Sequence, residues 1–551
     1  VLGSAESSPV LTDLPTLVDV LDRSAEASGA VEFFVCGEQR RTLAELSYRS
    51  RLLAGGLLEL GLEVGDRVAV LADNSAEYVE LLFACQRLNL IFVPLNSYLR
   101  GDFLAQQLED AAPAAIFVDS PGHESLREVT GHSVEHVFII GACAGERGAV
   151  PFDDLLRYPP YAGPTLARRA DIASVLYTSG TTGKSKGCMM PHGQFVQAAA
   201  PYLEDAGYIV RGDLVLTQSP MFHVSFLIGN LAPALLAGAR IHNVPRFSAS
   251  SFLHIAREIG ATTIYSVGSI GMLLLAQPPS AADAAPHRIR VAVLPGMAAD
   301  SQIAFEKRFG IPVNSESYGQ TECSVICVSG LSDERRRGSM GRPIDGLDLS
   351  IVDENDVLLP AGEVGEIVVR PRRPFAMFTG YWRNPDATIA TFRNLWHHTG
   401  DLGRQDADGT VWFVDRKKDS IRRRGENVSS GEVEMTILKH PAVREVSVHA
   451  VPGDFADDDI KACIVVGENE KPSIDDLFRF FKRTLPYFCI PRYVEFMNAL
   501  PVNAVGKVRK EDLRRRGVTT STWDLEALGL TVSREERRGS VSAPSDDSGI
   551  R

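Results

Sequence analysis

The sequence predicts an α/β protein with a large N-terminal domain of layered mixed sheets and helices, a small β-unit at its end, and a smaller α+β C-terminal domain. Three observations predict it. Helical and strand-like runs alternate along the first part of the chain. Short strands separated by tight turns take over from about Leu349. The chain has 551 residues, 44% of them hydrophobic, and single cores seldom grow beyond about 250–300 residues.

The elements follow in order. RTLAELSYRSRLLAGGLLELG, from Arg41, recurs with helical spacing and stops at Gly61. DRVAVLADNS is a strand running into a turn. EYVELLFACQRLNL is a second helix and IFVPL a second strand. In the middle, DLVLTQSPMFH, ATTIYSVGS and IRVAVLPG each end an apolar run in polar or glycine residues. Parallel sheets bind ligands just beyond such carboxyl ends. LSIVDENDVLLPAGEVGEIVVR predicts the antiparallel β-unit. A second domain is expected to start near Arg416–Asp419, with a hairpin, the helix GEVEMTILKHPAV, the strands VREVSVHAV and KACIVVG, and the helix IDDLFRFFKRTL. Residues 516–551 are poor in core side chains and predict a disordered tail.

Charge and cysteine usage exclude several classes. The formal charge of -13 argues against a general nucleic-acid binder. Eight cysteines stand singly. Cys323 and Cys327 lack a second Cys or His pair at metal-site spacing, so no structural zinc is expected. VLGSAESSPV lacks the basic start and apolar core of a signal peptide, and no apolar run is long enough to span a bilayer. A cytoplasmic protein without integral membrane association is the expectation.

The strongest chemical signal is SVLYTSGTTGKSKG, Ser174 to Gly187. An apolar strand enters a loop of small hydroxyl and glycine residues. Gly180 and Gly183 permit close backbone approach to a ligand, and successive N–H groups can cradle phosphate oxygens. Thr178, Ser179, Thr181 and Thr182 add hydroxyls, and Lys184 and Lys186 add positive charge. A flexible surface loop is the bland alternative. This is not a P-loop: Gly180 lies three positions before Gly183, where that pattern needs five, and residue 178 is Thr.

YTSGTTGKSKG resembles the phosphate-loop signature of the adenylate-forming superfamily, which comprises acyl- and aryl-CoA ligases, nonribosomal adenylation domains and firefly-type luciferases. The common form has Pro where this chain has Ser185. Further motifs stand in family order over roughly residues 15–515. SESYGQTE resembles the YGxTE motif. The resemblance implies that Tyr318, with Gly319, lies against adenine, that Thr321 touches the phosphate region, and that Glu322 helps to hold Mg²⁺. A hard cation prefers such oxygen ligands. HHTGDLGRQDADGTVWFVDRKKD resembles the TGD motif and its arginine. Asp401 is implied to accept both ribose hydroxyls, Arg416, 15 residues later, to act at the ribose–phosphate end, and Lys418 to be the hinge. PVNAVGKVRKEDLRR resembles the catalytic-lysine motif. Lys507 is thereby implied to bridge carboxylate and α-phosphate. Taken singly, Glu322, Asp401 and Lys507 read as solvated charges; their joint occurrence is what the resemblance adds.

RRRGENVSSGEVE resembles the loop of the thiolation surface. Gly425 would pass close to pantetheine, and Arg422, Arg423 and Arg424 either meet CoA phosphates or form a solvated turn. SPMFHVSF resembles the segment that gates the acyl pocket, so His223 is a gate or a packed histidine. By family position the acyl pocket takes Phe222, Ser266, Gly268, Pro295, Gly296 and Met297. No carboxylate stands among these, which disfavours a free amino acid as substrate. The wording of the chain is nearest to carnitine/crotonobetaine-CoA ligase-like members and their fatty and aryl acid relatives.

The resemblance implies a large AMP-binding domain at 1–417, a mobile small domain at 418–515 carrying Lys507, and the tail beyond. It implies an ATP-dependent acid:CoA ligase using ATP, Mg²⁺ and coenzyme A, with Lys507, Thr178, Glu322 and His223 as the catalytic set. The alternatives are transfer to a carrier-protein thiol or an amine, and a non-catalytic nucleotide-binding protein.

Overall fold

The computed structural model describes residues 16–131, 134–141, 149–178, 185–203, 206–416, 420–424, 426–453, 457–467, 472–501, 508–533 and 536–538. Strand counts below are of these residues.

Two seven-stranded sheets dominate the large domain. One runs Val313–Asn314, Val291–Val293, Thr263–Tyr265, Leu214–Thr217, Arg240–Asn243, Glu32–Cys36, Gln39–Thr42 and is parallel up to its last, antiparallel pair. The other runs Val150–Pro151, His136–Ile139, Ala115–Val118, Arg67–Leu71, Ile91–Pro94, Ile172–Thr178, Lys186–Pro191, again with only its last pair antiparallel. The inner strands are nearly all apolar because helices cover both faces. Phe92, Phe117, Val68 and Val70 are fully buried.

Local signals set the helices. Thr42 and Glu45 form a reciprocal capping box at the start of Leu43–Glu59. Ser75 caps Ala76–Leu88, which ends on Asn89 in the left-handed region (φ 53°). Arg87, 1% exposed on that helix, pairs with both oxygens of Asp22 at 2.5 and 2.6 Å. The pair ties the helix Leu17–Ser28 to the domain.

The expected β-unit is a four-stranded antiparallel meander: Leu347–Val352, Gly365–Pro371, His397–Gln405 and Val411–Arg416.

Beyond it stand the hairpin Ser420–Arg423/Glu426–Ser429, the helix Ser430–Ile437 and a sheet of Val443–Pro452, Asp458–Val466, Tyr493–Phe496 and Thr522–Asp524. Helices Ile474–Thr484 and Lys510–Arg516 complete this part.

The last strand corrects the expectation of a disordered tail from residue 516 onward. Thr522–Asp524 pairs antiparallel with Tyr493–Glu495, and Leu525 is 1% exposed. The buried Glu495 organises the approach to that strand. It accepts from Lys461 Nζ at 2.5 Å and Arg516 Nη2 at 2.7 Å, and from the hydroxyls of Thr519, Ser521 and Thr522. A polar segment is thus ordered by one carboxylate, a long-range pairing that composition does not reveal.

Candidate active site

The phosphate-loop motif sits between antiparallel strands Ile172–Thr178 and Lys186–Pro191, with Thr178 opposite Lys186. Thr178 Oγ1 donates to the Lys186 carbonyl at 3.4 Å. Lys186 Nζ lies 4.9 Å from the centre of the Tyr381 ring. Ser179, Gly180, Thr181, Thr182, Gly183 and Lys184 lie outside the described residues, as do Lys418, Gly425 and Lys507.

The YGQTE segment leaves the carboxyl end of the first sheet and folds toward the β-unit. Gly319 is required there, because a Cβ would collide with the Ser324 carbonyl. Tyr318 Oη donates to Asp401 Oδ2 at 2.6 Å, and Gln320 Nε2 donates to the same oxygen at 2.8 Å. Burial and the facing carboxylate push the Tyr318 phenol far above its ordinary range, so it stays a donor. The structure therefore brings the two motifs together, 83 residues apart in sequence. Asp401, 4% exposed, stands directly opposite Arg416 in the strand pair, which places the arginine's backbone beside it. The Arg416 side chain lies outside the described residues.

Glu322 is half-buried. Its Oε1 accepts from Tyr381 Oη at 2.8 Å, and its carbonyl accepts from Phe378 N–H at 2.8 Å and Gln194 Nε2 at 3.3 Å. Among the described residues no group of three or more His, Cys, Asp and Glu could hold a metal ion. One oriented carboxylate fits magnesium in a different way, since that ion is commonly held by one or two carboxylates together with substrate phosphates and water.

A cleft opens beside these groups, between the large domain and the C-terminal part. Thr178, Ser185, Thr321, Phe222 and His223 line it from one side; Glu426, Val428, Ser429, Glu432, Phe488 and Cys489 line it from the other. His223 Nδ1 accepts from Ser225 N–H at 3.1 Å and lies 2.8 Å from Ser225 Oγ. Burial, with Arg422 nearby, lowers its pKa to about 4, so the ring is neutral at physiological pH. Glu426 and Glu432 are both pushed up to about 7, chiefly by burial.

The remaining pocket candidates do not line this cleft. Ser266, Gly268, Pro295, Gly296 and Met297 cluster at the carboxyl ends of Thr263–Tyr265 and Val291–Val293. Gly268 N–H donates to Pro295 O at 2.8 Å, and Met297, 2% exposed, is held by Ser315 Oγ through its N–H at 2.8 Å. Ser266 Oγ accepts from Gln218 Nε2 at 2.5 Å. Only Phe222 and His223 of the proposed acyl residues reach the cleft.

Sequence reasoning missed Gln320, Tyr381, Gln194 and the cleft's two glutamates. Gln320 occupies the variable position of YGxTE, which was its one local signal. The others are joined only through the fold.

Comparison with known proteins agrees with this architecture. The family model described as AMP-binding enzyme matches residues 21–382, and that described as AMP-binding enzyme C-terminal domain matches 432–507. A crotonobetaine/carnitine–CoA ligase of Shigella dysenteriae serotype 1 is 32% identical over 501 residues, 89% of this chain and 95% of that protein. Among solved structures, o-succinylbenzoate CoA synthetase of Bacillus subtilis bound with its product analogue matches with TM-score 0.79 at 27% identity, covering 92% of this chain and 99% of that one. An amide bond synthetase of Marinactinospora thermotolerans gives 0.78 at 28%, covering 91% and 99%. ATP-bound MatB of Rhodopseudomonas palustris gives 0.67 at 26%, covering 91% and 98%. With both models matched in order along one chain, the protein belongs to the AMP-binding enzyme family, the adenylate-forming superfamily that its motifs resemble.

Proposed function

We propose a reaction in two halves and assign the groups that carry each. The protein is an ATP-dependent carboxylic acid:CoA ligase of the AMP-forming acyl-CoA synthetase kind. In the first half a carboxylate oxygen of the acid attacks the α-phosphorus of ATP, and the bond to the bridging oxygen of pyrophosphate breaks. In the second a thiolate attacks the acyl carbon, and AMP leaves with the electron pair of the broken C–O bond.

Asp401 accepts the ribose hydroxyls, held in place by Tyr318 and Gln320. Tyr318 and Gly319 form the floor under adenine. Thr178, the loop 179–184 and Thr321 hold phosphate oxygens. Glu322, oriented by Tyr381, is the carboxylate that would hold magnesium, which when bound neutralises phosphate charge. Lys507 supplies a cation where two anions meet, and Arg416 supports the ribose–phosphate end. Lys418 serves as the hinge, with domains at 1–417 and 418–515. Neutral His223 separates the acid from the incoming thiol, and Gly425 adjoins the pantetheine path. Phe222 borders the acid, and Ser266, Gly268, Pro295, Gly296 and Met297 form its pocket wall.

The observation that carries this reading is the cleft, in which Glu426–Ser429 faces Thr178, Thr321 and His223. Such a passage suits a thin thiol arm reaching an acyl-adenylate. Likeness to the synthetase holding a CoA-product analogue exceeds likeness to ATP-bound MatB, 0.79 against 0.67, at almost equal identity. The likeness to an amide bond synthetase favours, as a second reading, an amine as acceptor.

No helix among the described residues is long and apolar enough to cross a membrane. Seven described cysteines are free and buried, which supports a reducing, cytoplasmic setting.

The test is mass-spectrometric product analysis with ATP, magnesium and a library of carboxylic acids, with and without CoA. Acyl-AMP that becomes acyl-CoA supports the main reading. Acyl-AMP that persists with CoA but is consumed by an added amine supports the second.

A further inference from the structure

We infer that half-buried Ser185 and buried Glu432 form a contact that seats the small domain for thiol transfer, so that Ser185 is a positioning residue for the second half-reaction. The inference rests on the CoA-ligase reading for its kinetic consequence, though not for its geometry.

Ser185 belongs to the large domain, and Glu432 lies in the first turn of the helix Ser430–Ile437. Ser185 Oγ donates to Glu432 Oε1 at 3.0 Å, and the Ser185 backbone N–H donates to the same carboxylate. Glu432 is 6% exposed. A buried carboxylate needs such donors, because desolvation without them is costly. The related loops commonly carry Pro at this position, and Pro offers neither an N–H nor a hydroxyl. The departure at residue 185 thus supplies two donors to a carboxylate that would otherwise be buried without them.

The contact is well placed to set an orientation. Ser429 caps the helix by accepting from Glu432 N–H, so fixing Glu432 fixes the end of the strand Glu426–Ser429, which lines the cleft. Asn96 of the large domain holds Glu426 at the strand's other end. Arg100 of the large domain also donates to the Glu536 carbonyl at 3.4 Å; the remaining contacts are less directional. Tyr98 meets Tyr487 edge to face at 4.8 Å, and Leu99, Phe103 and Phe488 share one apolar cluster. Apolar area attracts without specifying register. Lys439 pairs with Asp102, but both side chains are more than half exposed, and such pairs contribute little.

The test compares Ser185→Pro, Ser185→Ala, Ser185→Thr and Glu432→Gln with the parent. Hydrogen exchange of residues 426–437, read on the full chain without acid or CoA, is expected to rise roughly 5- to 100-fold in Ser185→Pro, the weight of one or two lost bonds to a buried charge. Ser185→Ala, which keeps the N–H, should rise less, and Ser185→Thr should match the parent. With an acid found active in the library, thioester formation from supplied acyl-AMP should fall by a similar factor in Ser185→Pro, while acyl-AMP synthesis holds. Parent-like exchange in both Pro and Ala variants overturns the inference, as does an equal loss in both half-reactions. The exchange readout uses no substrate, so a failure of the CoA reading would leave it standing.

Discussion

Asp401→Asn isolates the nucleotide role. Asp401 Oδ2 receives two hydrogen bonds, from Tyr318 Oη at 2.6 Å and Gln320 Nε2 at 2.8 Å. Both partners present donors there, so an asparagine must turn its amide oxygen toward them. Its NH₂ then occupies the remaining position and can accept nothing from a ribose hydroxyl. The variant keeps its packing and loses the acceptor that the proposed role requires. Hydrogen bonds to a charged group contribute about 1.5–3 kcal/mol each. Two weakened bonds, partly replaced by the amide, give a loss of roughly 2–4 kcal/mol, about 30- to 1000-fold in ATP affinity. Isothermal titration calorimetry with Mg·ATP reads this without any acid. A dissociation constant within threefold of the parent, in a variant of unchanged thermal midpoint, would refute the assignment.

Lys507→Ala should cripple acyl-AMP formation while leaving transfer from supplied acyl-AMP largely working; a stopped-flow comparison in which both halves drop equally rejects that role. Glu426 and Glu432 titrate near 7 with the small domain seated, against 4.5 when solvated, so seating takes up protons between those values. Seating should therefore be strongest below pH 4.5, weaken as pH rises to 7 and stay level above it, by about 3 kcal/mol per carboxylate at roughly 1.4 kcal/mol per pH unit. Arg422 and Asn96 act on Glu426, Ser185 acts on Glu432, and Tyr487, Cys489 and His223 nearby are neutral across that window. Exchange rates of residues 426–437, corrected for intrinsic pH dependence, should follow that profile and flatten in the Gln variants. Lys461→Met leaves Glu495 buried without its ammonium partner and should destabilise the C-terminal sheet by about 3 kcal/mol, visible as faster exchange in Asp458–Val466 with the large-domain sheets unchanged.

Much of the site was legible because it is written locally. The phosphate loop is bounded by strands whose alternation is readable, and Tyr318 and Asp401 stand in short motifs. What holds those residues is not local. Gln194 reaches the Glu322 carbonyl across 128 positions, and Tyr381 reaches its carboxylate across 59. No periodicity encodes such pairings. The cleft glutamates were hidden for a related reason: on a polar hairpin, or in the first turn of a helix, a glutamate reads as solvated, and only docking against the large domain buries it. In the C-terminal segment, Trp523 and Leu525 do stand two apart, a strand spacing, but their polar neighbours masked it.

The C-terminal strand bears on protein engineering by fragment exchange. The matched family model stops at residue 507, yet the arginine and hydroxyl partners of Glu495 and the fourth strand of its sheet lie at 516–524. Farther on, Glu536 pairs with Lys482 and accepts from Arg100 of the large domain through its carbonyl, while Arg537 stacks over Tyr487. A hybrid enzyme spliced at the family boundary would inherit a sheet with an open edge and a buried carboxylate stripped of its arginine and hydroxyl donors. The exchangeable cassette ends no earlier than Arg537, and a recipient must present an arginine where Arg100 stands for the graft to be held at its far end.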